Sequence, residues 1–203
     1  MRLDPQTLIA AYCQGAFPMA DEAGRVDLYE CDPRAVLPLD ERFHVPQRLA
    51  RTVRAGRFAL RVDTAFSEVM QACAAPAPGR EQTWISAELI DAFSLLHRLG
   101  VAHSVECWHR GELVGGTYGV AIRGLFAGES MFHRMRDASK VALVHLVELL
   151  RAGGFVLFDI QYIVNDHFRQ FGVEEIPRTE YQRRLATALE TEARFPSGSV
   201  STL

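Results

Sequence analysis

Between Ala102 and Gly128 the chain alternates apolar and polar residues across two short turn signals, a spacing of strands rather than of helices. Ala102 to Trp108 alternates loosely, Arg110-Gly111 offers a turn, and Glu112 to Ile122 reads as the returning strand. Arg123-Gly124 turns again before Leu125-Phe126-Ala127-Gly128. The segment is expected to be an antiparallel meander. Behind it come an apolar helix from Val141 to Leu150, a Gly153-Gly154 stop, and the apolar run Phe155 to Phe158, which reads as a buried strand. Antiparallel strands followed by helix and strand predict an α/β fold with a mixed, largely antiparallel sheet flanked by helices.

The flanking segments supply the helices. Asp4 is placed to cap a short helix with Pro5 in its first turn, Leu8, Ile9, Tyr12 and Cys13 along its apolar side, and Gly15 as its stop. Phe17-Pro18 and Asp32-Pro33-Arg34 bracket a segment read as irregular. Phe58 to Val62 is a strand candidate, after which Asp63 is expected to cap a helix carrying Phe66, Val69, Met70 and Cys73. Residues 74–79 read as a loop, and Ser86 as the cap of an amphipathic helix stopped by Gly100. A short helix after Asp166, a last helix from Tyr181 to Leu189 and a frayed tail from Pro196 to Leu203 complete the chain.

With 203 residues, 48% of them apolar, the chain is long enough for one well-packed domain and a small appended lobe. It has no run of about 18 uncharged apolar residues. Met1-Arg2-Leu3-Asp4-Pro5 also lacks the apolar stretch of a secretory leader, so a cytoplasmic protein without a membrane partner is expected. Cys13, Cys31, Cys73 and Cys107 are scattered without a Cys-x-x-Cys pair, which argues for free thiols and against a metal site or a disulfide framework. The net charge of −3 excludes a globally basic nucleic-acid binder. Locally the balance differs: residues 42–61 hold six arginines and no acid. Arg48, Arg51 and Arg54 recur every third residue, so a helix through them carries a cationic stripe, readable as a phosphate-binding patch or as a solvated face. Lys140 is the only lysine, and guanidinium groups suit bidentate phosphate contacts.

Chemistry is most legible after the apolar run that ends at Phe158. If the strand continues, Asp159 and Gln161 project to one face, an acid and a carboxamide able to handle a proton and hold a polar substrate. An isolated Asp at such a place also commonly caps a turn. Gly128-Glu129-Ser130-Met131-Phe132 puts a second carboxylate at the end of the meander, where a functional group and a structural salt bridge are both open. Ser139 is placed to cap the long helix, and Lys140 lies near its anion-favouring first turn. His103 and His167 have no neighbouring nucleophile and read as structural or hydrogen-bonding residues. Trp84 and Trp108 read as core or pocket walls, Trp108 being the better pocket candidate because it ends a strand beside the hairpin turn.

A colinear set of segments resembles the bacterial leucyl/phenylalanyl-tRNA protein transferases. It comprises Phe17-Pro18, Asp32 to Val36, Thr83-Trp84-Ile85, His103 to Trp108, Glu112 to Gly116, Tyr118-Gly119-Val120 and Gly128 to Phe132. Ala138-Ser139-Lys140, Asp159-Ile160-Gln161, Asn165-Asp166-His167 and Glu175 to Arg178 continue it. The resemblance implies a GNAT-like catalytic domain over residues 41–195, a reduced N-terminal lobe over 1–40 and a flexible tail over 196–203. It implies transfer of an apolar aminoacyl group, Leu or Phe with Met as a further candidate, from the 3′ end of aminoacyl-tRNA. The acceptor it implies is the α-amine of a protein beginning with Arg or Lys, the product being an N-degron. The ester is already activated, so neither a cofactor nor a metal is implied. An α-amine with a pKa of about 7.7–8.0 needs only modest base assistance.

By the same resemblance Asp159 and Gln161 orient and deprotonate that amine, and Glu129 positions the aminoacyl-adenosine or the amine. Phe126 and Met131 line the aminoacyl pocket and Tyr29 and Thr117 are further substrate contacts; from its place at a strand end Trp108 is added to them, and from their spacing Arg48, Arg51 and Arg54 are expected to hold tRNA phosphates. Asp159→Ala and Gln161→Ala are expected to abolish transfer at unchanged melting temperature.

The chain departs from the family in places. Phe17-Pro18-Met19 stands for Phe-Pro-Trp, and Leu28-Tyr29-Glu30-Cys31 for a Trp-Trp-Ser-Pro stretch, so Tyr29 replaces an indole that would stack on adenosine. Thr117 stands where a pocket methionine is common, and a leading stretch of the family is missing. The reaction class is thus better marked than the amino acid carried. Two other readings are an acyl-CoA N-acyltransferase of the same fold and a non-catalytic tRNA- or protein-binding descendant. Against the first stands the lack of a glycine-rich pyrophosphate turn between Gly128 and Lys140. Against the second stands the joint presence of Glu129, Asp159 and Gln161.

Overall fold

The structure, a computed structural model, describes residues 3–76, 82–163 and 166–196. In chain order its elements are α1 (Pro5–Gln14), β1 (Phe17–Ala20), β2 (Val26–Tyr29), β3 (Arg34–Leu37), α2 (Gln47–Arg54), β4 (Ala59–Val62), α3 (Phe66–Ala74) and α4 (Ala87–Arg98). There follow β5 (Ala102–His109), β6 (Glu112–Ile122), β7 (Leu125–His133), α5 (Ala138–Ala152) and β8 (Leu157–Asp159). A 3-10 turn (Asp166–Phe171), β9 (Glu174–Ile176) and α6 (Arg178–Glu190) end the described chain.

Local chemistry sets several boundaries as expected. Asp4 accepts from the Thr7 amide at 2.9 Å, and Gly15 stops α1 in the left-handed region at φ 87°. Ser86 Oγ accepts from the Leu89 amide at the start of α4. Arg110 and Gly111 both have positive φ, 52° and 84°, the two-residue turn that matches strand twist and closes the β5–β6 hairpin.

Two expected caps are not made. Asp63 is itself left-handed at φ 58°, and its carboxylate serves the Ser104 amide at 2.8 Å and His103 Nδ1 at 2.7 Å. The start of α3 is held instead by Glu106 from the neighbouring strand, which accepts from the Thr64 and Ala65 amides at 2.9 and 2.7 Å. Ser139 lies inside α5, which begins one residue earlier behind a left-handed Asp137.

The main sheet has seven strands in the order β4-β5-β6-β7-β8-β3-β9. Every pair is antiparallel except β7–β8, which α5 connects as a crossover. The segment read as irregular is ordered: β1 and β2 form an antiparallel hairpin, and β3 then enters the main sheet between β8 and β9. A boundary at residue 40 would sever β3 from those partners. One face of the sheet is covered by α1, α3, α4 and α6 around Tyr12, Phe66, Phe93 and Tyr181; the other is covered by α2 and α5 around Leu49, Leu146 and Phe158. No described helix is long and apolar enough to cross a membrane.

Candidate active site

The parallel pair β7–β8 is short, registering only Leu125↔Leu157, Phe126↔Phe158 and Ala127↔Asp159, while β7 runs on to His133. Where β8 stops, the sheet opens. A cavity of about 340 Å³ lies there. Leu143, Phe158, Ile160, Met131 and Phe168 give it apolar walls, and Trp84 and Tyr162 aromatic ones. Glu129, Gln161, Gln82, Ser130 and Thr117 are the polar residues along it. Thr117 Oγ1 is bonded to the Ser130 carbonyl at 3.0 Å, which removes a free hydroxyl from the wall.

Glu129 is not at a strand end, as the sequence suggested, but in the middle of β7. Tyr118 pairs with Ser130 and Gly119 with Gly128, so Glu129 is the extra residue of a β-bulge. A bulge re-aims a side chain that regular alternation would send elsewhere. The opposite strand accepts the distortion because residue 119 has no side chain: a Cβ there would stand 2.3 Å from the Ala127 carbonyl oxygen.

Gln161 also escapes alternation. β8 ends at Asp159, and Gln161 turns back in the left-handed region at φ 62°, a costly conformation for a side-chain-bearing residue. Besides the Cys31 thiol, which donates to its carbonyl at 3.1 Å, three bonds hold it there. Its amide donates to Asp159 Oδ1 at 2.8 Å, its carbonyl accepts from the Ala35 amide at 2.8 Å, and its carboxamide Nε2 donates to Glu129 Oε1 at 2.9 Å.

Asp159 is fully buried. Arg34 donates to both its oxygens, Nε to Oδ1 at 2.9 Å and Nη2 to Oδ2 at 2.6 Å, and the Tyr181 hydroxyl donates to Oδ2 at 2.7 Å. Arg34 is as buried as its partner and lies between the rings of Phe17 and Tyr181, 4.9 and 4.5 Å away. Asp159 does not line the cavity; it holds β8, β3 and α6 together and fixes the Gln161 backbone.

Glu129 differs. Tyr12 from α1 donates to Oε1 at 2.8 Å, the same oxygen that Gln161 uses, and Oε2 is buried with no hydrogen-bond partner among the described residues. Burial pushes its pKa up to about 8; the Asp159 charge adds to the rise, against the Tyr12 and Gln161 hydrogen bonds and the Arg34 charge. Burial, and then the Glu129 charge, raise Tyr12 as well.

Of the residues expected at the site, Glu129, Gln161, Met131 and Thr117 meet around one cavity. Phe126 does not reach it, being a core residue behind Phe158. Trp108 lies elsewhere, on a second cavity of about 280 Å³ with Gln71, Leu113 and Arg134, its ring under Arg61 at 4.6 Å and its indole bonded to Glu106 at 3.0 Å. The cause is strand alternation, which puts Trp108 on the face of Glu106 and opposite that of Cys107, while a second bulge, at Val114, keeps Leu113 paired with it. Tyr29 stands exposed on β2 and is not a wall of the cavity. Arg48 is bound to Asp137 by two bonds, at 2.6 and 3.0 Å, whereas Arg51 and Arg54 are exposed on α2 without an ion pair among the described residues. The side chain of His167 and all of Asn165 lie outside the described residues.

Sequence reasoning assigned no role to Arg34, Tyr12 or Tyr181. A single arginine between Asp-Pro and an apolar strand was the available signal, because an arginine buried there requires an acid. Among the described residues no cluster of three His, Cys, Asp or Glu side chains is arranged to hold a metal ion.

Residues 36–186 match the family model of leucyl/phenylalanyl-tRNA protein transferase, and residues 1–32 match the model of that transferase's N-terminal domain. A leucyl/phenylalanyl-tRNA protein transferase of Herpetosiphon aurantiacus is 58% identical over 194 residues, covering 96% of this chain and 98% of the relative. Those of Phenylobacterium zucineum and Akkermansia muciniphila are 56% and 51% identical, covering 95% and 94% of this chain and 87% and 98% of theirs. Among solved structures, the C-terminal domain of a putative lysylphosphatidylglycerol synthetase from Agrobacterium fabrum aligns with a TM-score of 0.42 at 12% identity, over 90% of this chain and 62% of that one. By both family models, and by identity above one half along nearly its whole length, the chain belongs to the leucyl/phenylalanyl-tRNA protein transferase family.

Proposed function

We propose that this chain is an aminoacyltransferase that moves an apolar aminoacyl group from aminoacyl-tRNA to the α-amine of a protein beginning with Arg or Lys, acting in the cytoplasm on a GNAT-like fold. One observation carries the reading: a carboxyl group with one oxygen lacking a hydrogen-bond partner among the described residues and a carboxamide, Glu129 and Gln161, share a cavity whose other walls are largely apolar and aromatic. An aminoacyl-adenosine has that polarity, with an apolar side chain at one end and an ester and amine at the other. The opening of the parallel pair β7–β8 around the cavity supports the GNAT-like description.

The amine attacks the ester carbonyl, a C–N bond forms, and the C–O bond to the terminal ribose breaks. One proton must leave the amine and one must reach the ribose oxygen. Glu129 is the group for both. Burial raises its pKa to about 8, which makes the ionised carboxylate a stronger base than an ordinary one toward the amine proton and the protonated carboxyl a donor to the leaving oxygen. Asp159 is a positioning residue, since its oxygens already accept from Arg34, Tyr181 and the Gln161 amide. Gln161 orients Glu129 and the ester. Arg51 and Arg54 contact tRNA phosphates, while Arg48 stiffens the junction of α2 with α5 through Asp137.

The test is transfer of radiolabelled Leu and Phe from their charged tRNAs to peptides beginning with Arg, Lys or Ala. Transfer to Arg and Lys but not Ala is expected. Turnover of acetyl-CoA, or tRNA binding without transfer, would replace this reading with one of its two competitors.

A further inference from the structure

The match to the catalytic family model ends at residue 186, yet the chain beyond it returns to the cavity from behind. Arg123 binds the Leu189 and Glu190 carbonyls at 3.2 and 3.3 Å as α6 ends. The Arg194 amide then donates to the Gly153 carbonyl at 2.9 Å. Gly153 is what admits this strap: a Cβ there would stand 2.3 Å from the Arg194 carbonyl oxygen.

The next residue is Phe195. Its ring lies between His103, with centroids 4.2 Å apart and planes 11° apart, and Phe126 at 5.6 Å and 23°. Phe155 meets it edge-on at 6.3 Å. Phe126 in turn meets Phe158 edge-on at 5.5 Å, and Phe158 is a wall of the cavity. Rings in contact therefore run from the strap to the cavity, and His103 at the far end is anchored on Asp63.

We propose that Phe195 is a positioning residue that sets the depth of the aminoacyl pocket, holding Phe158 in place through Phe126 and so setting the preference among apolar aminoacyl groups. The proposal rests on the reading of the cavity as the aminoacyl site. A close-packed interior passes a displacement from one ring to the next. Removing an outer ring leaves a void into which its neighbours partly relax. Phe126 settles toward the strap, Phe158 follows, and the pocket deepens in favour of the larger side chain.

The experiment measures kcat/KM for leucyl-tRNA and phenylalanyl-tRNA with the wild type, F195A, F195L and G153A. F195A is expected to move the Phe-to-Leu ratio toward Phe by about 10-fold, the scale on which apolar pockets discriminate side-chain size. G153A, which displaces the strap, should move it the same way, and F195L should restore most of the wild-type ratio. Equal losses for both substrates in F195A and G153A overturn the proposal and leave the strap a stability element. Calorimetric binding of amide-linked phenylalanyl- and leucyl-adenosine reads the same preference without transfer. Binding with no change of preference sinks the strap proposal alone, whereas failure of the wild type to bind either compound removes the aminoacyl reading and the strap proposal with it.

Discussion

Two regions of this molecule bury a glutamate, and they treat it in opposite ways. At the corner of β4, β5 and α3, Glu106 is fully buried and accepts from the Thr64 and Ala65 amides, the Thr64 and Ser104 hydroxyls and the Trp108 indole. At the opening of β7 and β8, Glu129 accepts twice on one oxygen and, among the described residues, not at all on the other. Asp159, a short step away in sequence from Gln161, belongs with Glu106, because its four hydrogen bonds leave it no further work. Burial alone does not make a carboxylate reactive. What matters is whether the protein has replaced all the water it removed, since an incompletely solvated charge is driven to bind a proton or a ligand.

The largest expected effect breaks the saturated side of this comparison. Asp159→Ala strands the Arg34 guanidinium in the core and should lower stability by about 3–5 kcal/mol, as when one partner of a buried pair is removed. A urea midpoint equal to wild type, the outcome the sequence alone suggested, would mean that Arg34 finds another acceptor and that Asp159 is free to act as a base.

Glu129→Gln should slow transfer by about 10²–10⁴-fold, the usual contribution of a positioned acid–base group. Its stability should move the other way. The folded carboxyl has its pKa raised from 4.5 to about 8, so the folded state holds the proton more tightly than the unfolded chain does. The resulting stabilisation is complete below the unfolded pKa and is lost as pH rises to about 8. The amide variant loses nothing over that range, and the difference in Tm between variant and wild type should grow in its favour from pH 5 to pH 8. A pH-independent difference would show that Glu129 does not titrate where its surroundings put it.

Tyr12→Phe sharpens the comparison. It removes a donor that lowers the Glu129 pKa, so the pH midpoint of kcat should move upward, with little change on the alkaline plateau. A midpoint that stays in place would assign the observed pKa to the acceptor amine. The smallest effect concerns α2. Arg51→Gln with Arg54→Gln should flatten the salt dependence of tRNA binding by about 0.7–0.9 in log–log slope for each phosphate no longer neutralised. Arg48→Gln, whose arginine is engaged by Asp137, should change stability more than that slope. A slope unchanged from wild type in all three substitutions would make the α2 stripe a solvated face.

Much of this was legible beforehand for local reasons. Asp4 starts α1 and Ser86 starts α4 because each side chain meets a nearby backbone amide, and Gly15 and Arg110-Gly111 turn the chain through their own left-handed backbone. Where the partner lies far along the chain, the same reasoning failed. Asp63 has the composition of a cap for α3, but Glu106, forty-odd positions on, takes those amides, and Asp63 turns to Ser104 and His103. The β1–β2 hairpin and β3 were missed because Pro18 inside β1 and Pro33 just ahead of β3 read as breakers, and β2 is mostly exposed and lacks an apolar run. Phe126 and Trp108 were the right kind of residue for a pocket wall but face elsewhere.

By itself the sequence determined the class of fold, the meander with its turns, and the family, together with the four cavity residues Glu129, Gln161, Met131 and Thr117. Those follow from period, from turn chemistry and from a colinear run of motifs, all of which are properties of order along the chain. Tertiary structure alone decided which carboxylate is open and which is spent. A bulge at Glu129 and a left-handed residue at Gln161 set the geometry in which the carboxamide meets the carboxylate, and Arg34 and Tyr181, from opposite ends of the chain, close over Asp159. Whether a buried oxygen is solvated depends on donors that only folding brings within hydrogen-bond distance.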